Sequence, residues 1–200
     1  MDSRVRTFSR RTALAAIGRA AAVPIFASSA LAQLDRGPPM LRNSRYQFTL
    51  LRTTKKVHDV KLAGLDDHPT ILTPQPGKLL LVNLWATWCE ACRIELPSLE
   101  RLHVATGDRL QVVAVPTDTA DRGKVRSYLG KLSVYRLPVF LDPERRLVGN
   151  SADDPAPLTL YGMPLTYLID ATGDTTGYIQ GATDWLSSDA QRLLAYYMAA

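Results

Sequence analysis

The sequence has few of the side chains that bind metals or build disulfide frameworks. Its 200 residues include two cysteines and three histidines, and the histidines are too scattered to supply the paired spacing of a zinc site. We therefore expect no metal and no cofactor. Stability does not require disulfide bonds either, because 46% of the residues are hydrophobic and can fill a core.

A long hydrophobic run is also missing. No stretch of about 18 uninterrupted apolar residues is present, and Arg19 interrupts the apolar part of residues 1–32. This segment has the pattern of an export signal, with Arg10-Arg11 similar to the twin-arginine signal and cleavage expected before Gln33. We predict a periplasmic protein, exported by the twin-arginine or the general route. An uncleaved leader that retains it at the inner membrane is the alternative.

A surplus of positive charge is absent outside this leader. The formal net charge is +5, and residues 1–32 contribute +4 of it through five arginines and one aspartate. The remaining chain is nearly neutral, so nothing in it favours an anionic partner. Binding to nucleic acid is therefore not expected.

The chain after the leader divides into a lead-in and one domain. Residues 33–56 combine a Gly-Pro-Pro sequence with weak periodicity, which predicts a linker or an irregular lead-in. Residues 57–200 alternate between strand and helix patterns. This alternation predicts an α/β fold with a central mixed sheet and helices on both of its faces. The predicted strands lie at 57–65, 79–85, 110–116, 137–142, 161–170 and 175–180, and the predicted helices run from the cysteine pair to Gly107, over 121–132 and over 187–198.

The two cysteines form a Cys-x-x-Cys pair, Cys89 and Cys92, directly after the apolar run 79–85. At the start of a helix, the free N–H groups and the positive end of the helix dipole favour a thiolate. A structural disulfide that closes two residues would restrict the unfolded chain very little. The pair therefore predicts a redox-active dithiol, with a zinc site and a structural disulfide as the alternatives.

Around this pair the sequence WATWCEAC at 85–92 resembles the thioredoxin superfamily. The sequence ELP at 95–97 narrows the resemblance to the TlpA/ResA-like exported thiol–disulfide oxidoreductases. Three further stretches, 137–143, 162–170 and 181–185, are similar to this family and follow in the expected order. The resemblance implies a thioredoxin-like fold. Ala91 departs from it, because a proline is common there, and the loop 150–158 looks longer than is usual.

The resemblance also implies roles for the residues at the pair. Cys89 would be the nucleophile, and Cys92 the resolving thiol that releases the partner. Thioredoxins carry a buried aspartate on the preceding strand, whose position here is Asn83. We expect Glu95, one helical turn after Cys92, to take over the proton transfer with a raised pKa, although an ordinary solvated glutamate is the alternative.

A second group of residues is expected to bind the substrate. The resemblance implies a cis peptide bond between Met163 and Pro164, facing the cysteines and pairing with an extended client. A plain trans proline in a turn is the alternative. Trp88 is expected at the rim of the site, and Trp85 in the core.

These expectations combine into a hypothesis about function. We predict a monomeric reductase that acts on disulfides of client proteins, such as apocytochrome c in cytochrome c biogenesis, and is kept reduced by a membrane electron donor. The alternative is a thioredoxin-like module that carries Cu(I) between the two thiolates, with Met163 as a further ligand. A thiol peroxidase fits less well, because Thr87 precedes a Cys-x-x-Cys pair rather than a lone cysteine.

Overall fold

The computed structural model describes residues 37–52, 55–66 and 68–199. The predicted export signal at 1–32 and its cleavage site lie outside these residues. Among the residues described, no helix has both the length and the apolar character needed to cross a membrane.

The described part of the chain contains ten strands, three α-helices and one short 3-10 helix (Gly107–Arg109). The strands are β1 (Thr49–Leu50), β2 (Val60–Gly64), β3 (Pro69–Leu72), β4 (Leu79–Trp85), β5 (Leu110–Pro116), β6 (Phe140–Leu141), β7 (Val148–Gly149), β8 (Leu158–Thr159), β9 (Leu165–Ile169) and β10 (Thr175–Gln180). The helices are α1 (Glu90–Thr106), α2 (Arg122–Lys131) and α3 (Ser188–Met198). The predicted strands 79–85, 110–116 and 175–180 have the bounds of β4, β5 and β10.

The main sheet has five strands in the order β1-β10-β9-β4-β5. β4 and β5 are parallel, whereas β9 runs antiparallel to β4, so the sheet is mixed. A parallel bridge from Val139 to Ala114 extends the β5 edge. Two smaller sheets accompany it, one of order β3-β2-β6 and one of β7 with β8.

The strand β4 lies in the middle of the core. All seven of its residues are buried, as a continuous apolar run predicts for a strand covered on both faces. Its odd-numbered apolar residues, from Leu79 to Trp85, belong to one hydrophobic cluster, and its even-numbered ones, from Leu80 to Leu84, belong to the other. Because both faces are packed, the end of this strand is a rigid support for the cysteine pair.

The mixed sheet and the α/β class are confirmed, but the helices are distributed differently from the expectation of both faces. Buried residues of all three helices belong to a single cluster, and the cluster on the other face contains none among the described residues. The reason is topological: β4, β5 and Val139 lie side by side in chain order and parallel, and right-handed crossovers in one direction place α1 and α2 on the same face. The buried helix residues of this cluster are Leu96, Leu99, Leu102, Val125, Leu129, Ala190, Leu193 and Leu194.

The other face is covered by strands and loops, including the segment 150–158 between β7 and β8. The ammonium group of Lys55 holds this segment, donating to the carbonyl oxygen of Ala152 at 2.9 Å and to that of Asp154. Leu41 is buried in the main cluster. Parts of the expected lead-in 33–56 therefore pack against the domain, and the domain boundaries stay a prediction.

Glu100 of α1 fastens the segment that leads into β6. Its carboxylate accepts the backbone N–H groups of Tyr135, Arg136 and Leu137, each at 2.9 Å. Partial burial raises the pKa of Glu100, but these three hydrogen bonds outweigh burial and hold the pKa below its ordinary value. The ionised form thus stabilises the folded chain.

We expect Glu100→Gln to lower the free energy of unfolding at pH 7 by about 1 kcal/mol, because a neutral amide accepts weaker hydrogen bonds than a carboxylate. The folded-state pKa lies below that of the unfolded chain, so this contribution is complete above the unfolded value and disappears as pH falls through the folded one. Urea unfolding at pH 7 and pH 3 measures both effects. Glu144→Gln, which removes an exposed ion pair with Arg146, serves as the control; an equal effect in both variants would contradict the assignment.

Candidate active site

Cys89 and Cys92 are joined by a disulfide bond, with their Cα atoms 5.3 Å apart. Cys89 is the N-cap of α1, and its sulfur accepts the backbone N–H of Cys92 at 3.1 Å. The Cys89 side of the bridge has 6% of its surface exposed, whereas Cys92 is fully buried. Of the two residues, only Cys89 keeps any exposed surface, at a helix N-terminus that favours a thiolate.

Glu95 lies one turn after Cys92 on the inner side of α1, with 1% of its surface exposed. Three donors from distant parts of the chain surround its carboxylate. Trp185 Nε1 donates to one oxygen at 2.8 Å, and the backbone N–H of Thr183 donates to the same oxygen at 3.3 Å. Asn83 Nδ2 donates to the other oxygen at 2.9 Å. The solvated glutamate considered above is thus not what the structure contains.

Burial raises the pKa of Glu95 from its ordinary value near 4.5 to about 7. The hydrogen bonds from Trp185, Asn83 and Thr183 act in the opposite direction, because each of them stabilises the ionised form. The net result is a carboxyl group that is half protonated near neutral pH. Such a group can both accept and return a proton in that pH range.

Asn83 connects the carboxylate to the sheet. It is fully buried on β4, and its amide nitrogen donates to Thr166 Oγ1 at 2.9 Å as well as to Glu95. Thr166 lies directly opposite on β9. A pair of neighbouring strands therefore fixes the donor, and the position that would hold an aspartate in thioredoxins holds a group that does not titrate.

The peptide bond between Met163 and Pro164 is cis, as expected. Leu84 pairs with Leu165 in the sheet, so Pro164 lies beside the last residue of β4, at the end of the strand that leads to the cysteines. The hydroxyl group of Thr117 lies 3.8 Å from the sulfur of Met163. The substrate-binding roles of Met163 and Pro164 remain predictions.

The two tryptophans of the motif occupy different environments. Trp85 is fully buried and stacks on Tyr128, with ring centroids 5.3 Å apart, whereas Trp88 is 71% exposed. Asp118 holds the intervening loop by accepting from the hydroxyl group of Thr87 at 2.5 Å and from its backbone N–H at 3.2 Å. A large apolar side chain is thereby presented to solvent immediately before Cys89.

Comparison with known proteins identifies the family. A profile of the AhpC/TSA family matches residues 53–176, which is more than half of the chain. The chain belongs to the AhpC/TSA family. The cysteine pair, the buried Glu95 and the cis-proline lie within the matched residues. Trp185, which donates to Glu95, lies just beyond them.

Individual relatives of this family member support the resemblance to ResA-like oxidoreductases. It is 32% identical over 117 residues to "Thioredoxin-like protein YneN" of Bacillus subtilis, covering 58% of this chain and 64% of that protein. It is 26% identical over 128 residues to "Thiol-disulfide oxidoreductase ResA" of Bacillus thuringiensis, covering 64% of this chain and 69% of that protein. The match to YneN thus spans less than two thirds of the relative's length.

A solved structure shares the fold of this AhpC/TSA family member. The crystal structure of a thiol:disulfide interchange protein of the thioredoxin family from Chlorobium tepidum has a TM-score of 0.58 and 22% sequence identity, covering 74% of this chain and 99% of that one. The thioredoxin-like fold expected from the sequence is confirmed.

Trp185, Thr183 and Thr166 are contacts of Glu95 that were not predicted from the sequence. For Trp185 and Thr183 a signal existed, because the stretch 181–185 is one of those similar to the family. In the part of the chain that the structure describes, no three His, Cys, Asp or Glu side chains converge as metal ligands. The Cu(I) alternative would therefore depend on the two sulfurs and Met163.

We expect the stability of the oxidised protein to fall by roughly 3 kcal/mol between pH 4.5 and pH 7, in excess of the same change in Glu95→Gln. The folded-state pKa of about 7 exceeds the unfolded one, so the folded chain binds the extra proton in this window and loses stability as pH rises through it. Above about pH 8, where the folded-state group is ionised, the difference is constant. Urea unfolding of both proteins at a series of pH values measures it, and parallel stability curves would show that Glu95 has an ordinary pKa.

Proposed function

We propose that this protein is a thiol–disulfide oxidoreductase that reduces disulfides of client proteins. The observation that carries the proposal is the asymmetric pair: Cys89 at a helix N-terminus with a small exposed surface, a fully buried Cys92, and one buried carboxyl group with a pKa of about 7 a helical turn away. This arrangement provides a nucleophile, a resolving thiol and a proton acceptor. The names of the relatives, which describe thiol–disulfide oxidoreductases, support the same reaction class.

The reaction begins from the reduced pair. The Cys89 thiolate attacks one sulfur of the client disulfide, forming a mixed disulfide and releasing the other client sulfur as a thiolate, which takes up a proton. Cys92 gives its proton to the Glu95 carboxylate, and the resulting thiolate attacks the sulfur of Cys89. The client leaves with both of its sulfurs reduced, and two electrons have passed from the protein, which now holds the Cys89–Cys92 disulfide.

The surface around Cys89 suits an extended protein segment. Trp88 offers an exposed aromatic face, and Pro164 leaves no N–H of its own to compete with a client backbone. We assign Trp88, Met163 and Pro164 to substrate binding on this basis. Apocytochrome c is the client class that the family resemblance suggests.

Each turnover requires an electron donor and an oxidising compartment in which disulfides form. We propose export to the periplasm by the leader at 1–32 and re-reduction by a dithiol of a membrane protein, which transfers two electrons to the Cys89–Cys92 disulfide by the same exchange chemistry. The monomeric state belongs to this proposal.

The leader is tested by expressing the full chain in a Gram-negative bacterium and sequencing the N-terminus of the periplasmic product. We expect the mature chain to begin at Gln33. Arg10→Lys together with Arg11→Lys is expected to stop export if the twin-arginine route is used, and to leave it unchanged if the general route is used. A full-length product in the membrane fraction would contradict cleavage.

The cysteine roles are tested with single variants in a disulfide-reduction assay. Cys92→Ser is expected to accumulate a mixed disulfide with a client, because the thiolate that resolves it is missing, whereas Cys89→Ser is expected to lose both trapping and activity. Non-reducing gels and mass spectrometry identify the trapped partners. Trapping by Cys89→Ser rather than by Cys92→Ser would reverse the assignment of nucleophile and resolving thiol.

The direction of electron flow is tested by equilibrating the wild-type protein with glutathione buffers. We expect a reduction potential nearer to the roughly −270 mV of thioredoxin than to the roughly −120 mV of strongly oxidising dithiol proteins. A potential at the oxidising end would leave the exchange reaction in place but overturn the role as a reductant.

A further inference from the structure

A short N-terminal segment packs beside the active site. We call residues 41–48 the strap. It is a tight turn closed by a bridge between Arg42 and Gln47 and by a hydrogen bond from Phe48 N to Leu41 O at 2.8 Å. Leu41 is buried in the same cluster as the two cysteines. The strap precedes the part of the chain that matches the family, which begins at residue 53.

Asn43 links the strap to the end of β10 and to the residue that follows it. Its side-chain oxygen accepts the backbone N–H groups of Arg45 at 3.0 Å and Tyr46 at 2.8 Å, which closes the turn. Its side-chain nitrogen points away from the strap. That nitrogen donates to the carbonyl oxygens of Gln180 at 2.7 Å and Gly181 at 3.1 Å, across about 140 residues of chain.

Gln180 and Gly181 begin the loop 180–185, which supplies two of the three donors to Glu95. The chain reverses at Gly181, where φ is +80° and the Asn43 nitrogen and Tyr46 ring lie 3.3 Å and 3.1 Å from the place a Cβ would take. The N–H of Gly181 donates to Pro164 O at 2.7 Å. The same loop then places Thr183 N and Trp185 Nε1 on the carboxylate.

We propose that Asn43 is a positioning residue of the active site: it holds the loop 180–185 in place so that the loop keeps both of its donors on Glu95. Asn43 acts on the carboxylate through this loop, because its side-chain nitrogen donates to Gln180, Gly181 and Thr183 and not to Glu95 itself. Where the inference concerns catalysis, that is, the proton exchange between Glu95 and Cys92, it rests on the proposed function.

Glu95 is sensitive to the loop because its hydrogen-bond partners are all neutral. Asn83 and Thr166 face it from the two strands, and Trp185 and Thr183 face it from the loop. Besides the bridged cysteines, its own helix carries the titratable groups Glu90, Arg93, Glu100, Arg101 and His103, and none of them is among the causes that shift its pKa. The ionised form therefore depends on these neutral donors. Loss of the Asn43 contacts is expected to lengthen the bonds from the loop and to disfavour the carboxylate.

The test uses Asn43→Ser, which keeps an oxygen for the turn but cannot reach the loop, and Gln47→Ala, which removes another polar side chain of the strap, as the matched control. The glutamate carboxyl groups are labelled with carbon-13, and Glu95 is titrated by NMR in the oxidised protein. We expect the pKa of Glu95 to rise by about half a unit in Asn43→Ser, a roughly threefold smaller ratio of ionised to protonated form, and to stay unchanged in Gln47→Ala.

A second measurement follows the Trp185 indole proton, whose chemical shift reports its bond to Glu95. It is expected to move upfield in Asn43→Ser. If that variant does not fold, Asn43→Asp is used, because it retains the oxygen of the turn and lacks the donor. A Glu95 pKa and an indole shift equal to those of the wild type in a folded Asn43 variant would overturn the positioning role. Because neither measurement needs a client, such a result is distinguishable from failure of the disulfide-reduction assay, which concerns the proposed function.

Discussion

The arrangement of the site depends on keeping one carboxylate, that of Glu95, out of water. Burial alone would hold this group protonated, and the donors from Asn83, Thr183 and Trp185 return it to a balance near pH 7. These donors come from a central strand and from a loop almost 90 residues further along the chain. The helix, the sheet and the C-terminal loop must therefore all be in place before the group has its useful pKa.

The same geometry separates the two sulfurs. Cys89 ends the connection from β4 and caps α1, and it keeps a small exposed surface where the helix begins. Three residues later the helix has turned Cys92 inward, against the apolar side chains of the main cluster. A thiol in such surroundings holds its proton more firmly than one at the helix N-terminus. In the reaction that we propose, Cys89 attacks first and Cys92 needs a base, and Glu95 follows Cys92 by one turn of the helix.

Much of this could be predicted from local sequence, and the remainder depends on distant contacts. The bounds of β4 and β5 followed from nearly continuous apolar runs, because a strand buried on both faces is apolar at most positions; Asn83 and Gln111 are the polar exceptions. The position of all three helices on one face of the sheet could not be predicted in this way. Periodicity specifies which side of a helix is apolar, but not which side of the sheet the helix covers. Trp185 and Asn43 could not be predicted as donors for a related reason, because their hydrogen bonds join residues that lie 90 and 137 positions apart in the chain.

Position 83 of β4 holds an asparagine, where thioredoxins carry an aspartate. Glu95 is therefore not joined by a second carboxyl group from this strand. An aspartate at position 83 would place a second carboxyl group within hydrogen-bond distance of Glu95, at 2.9 Å in the present arrangement. Two such groups in a desolvated site cannot both ionise, and one of them would hold its proton far above neutral pH. The asparagine instead donates to the carboxylate and to Thr166, which supports the ionised form. One titrating carboxyl group remains a helical turn from Cys92, and in the proposed reaction Cys92 must lose one proton before it can attack the mixed disulfide.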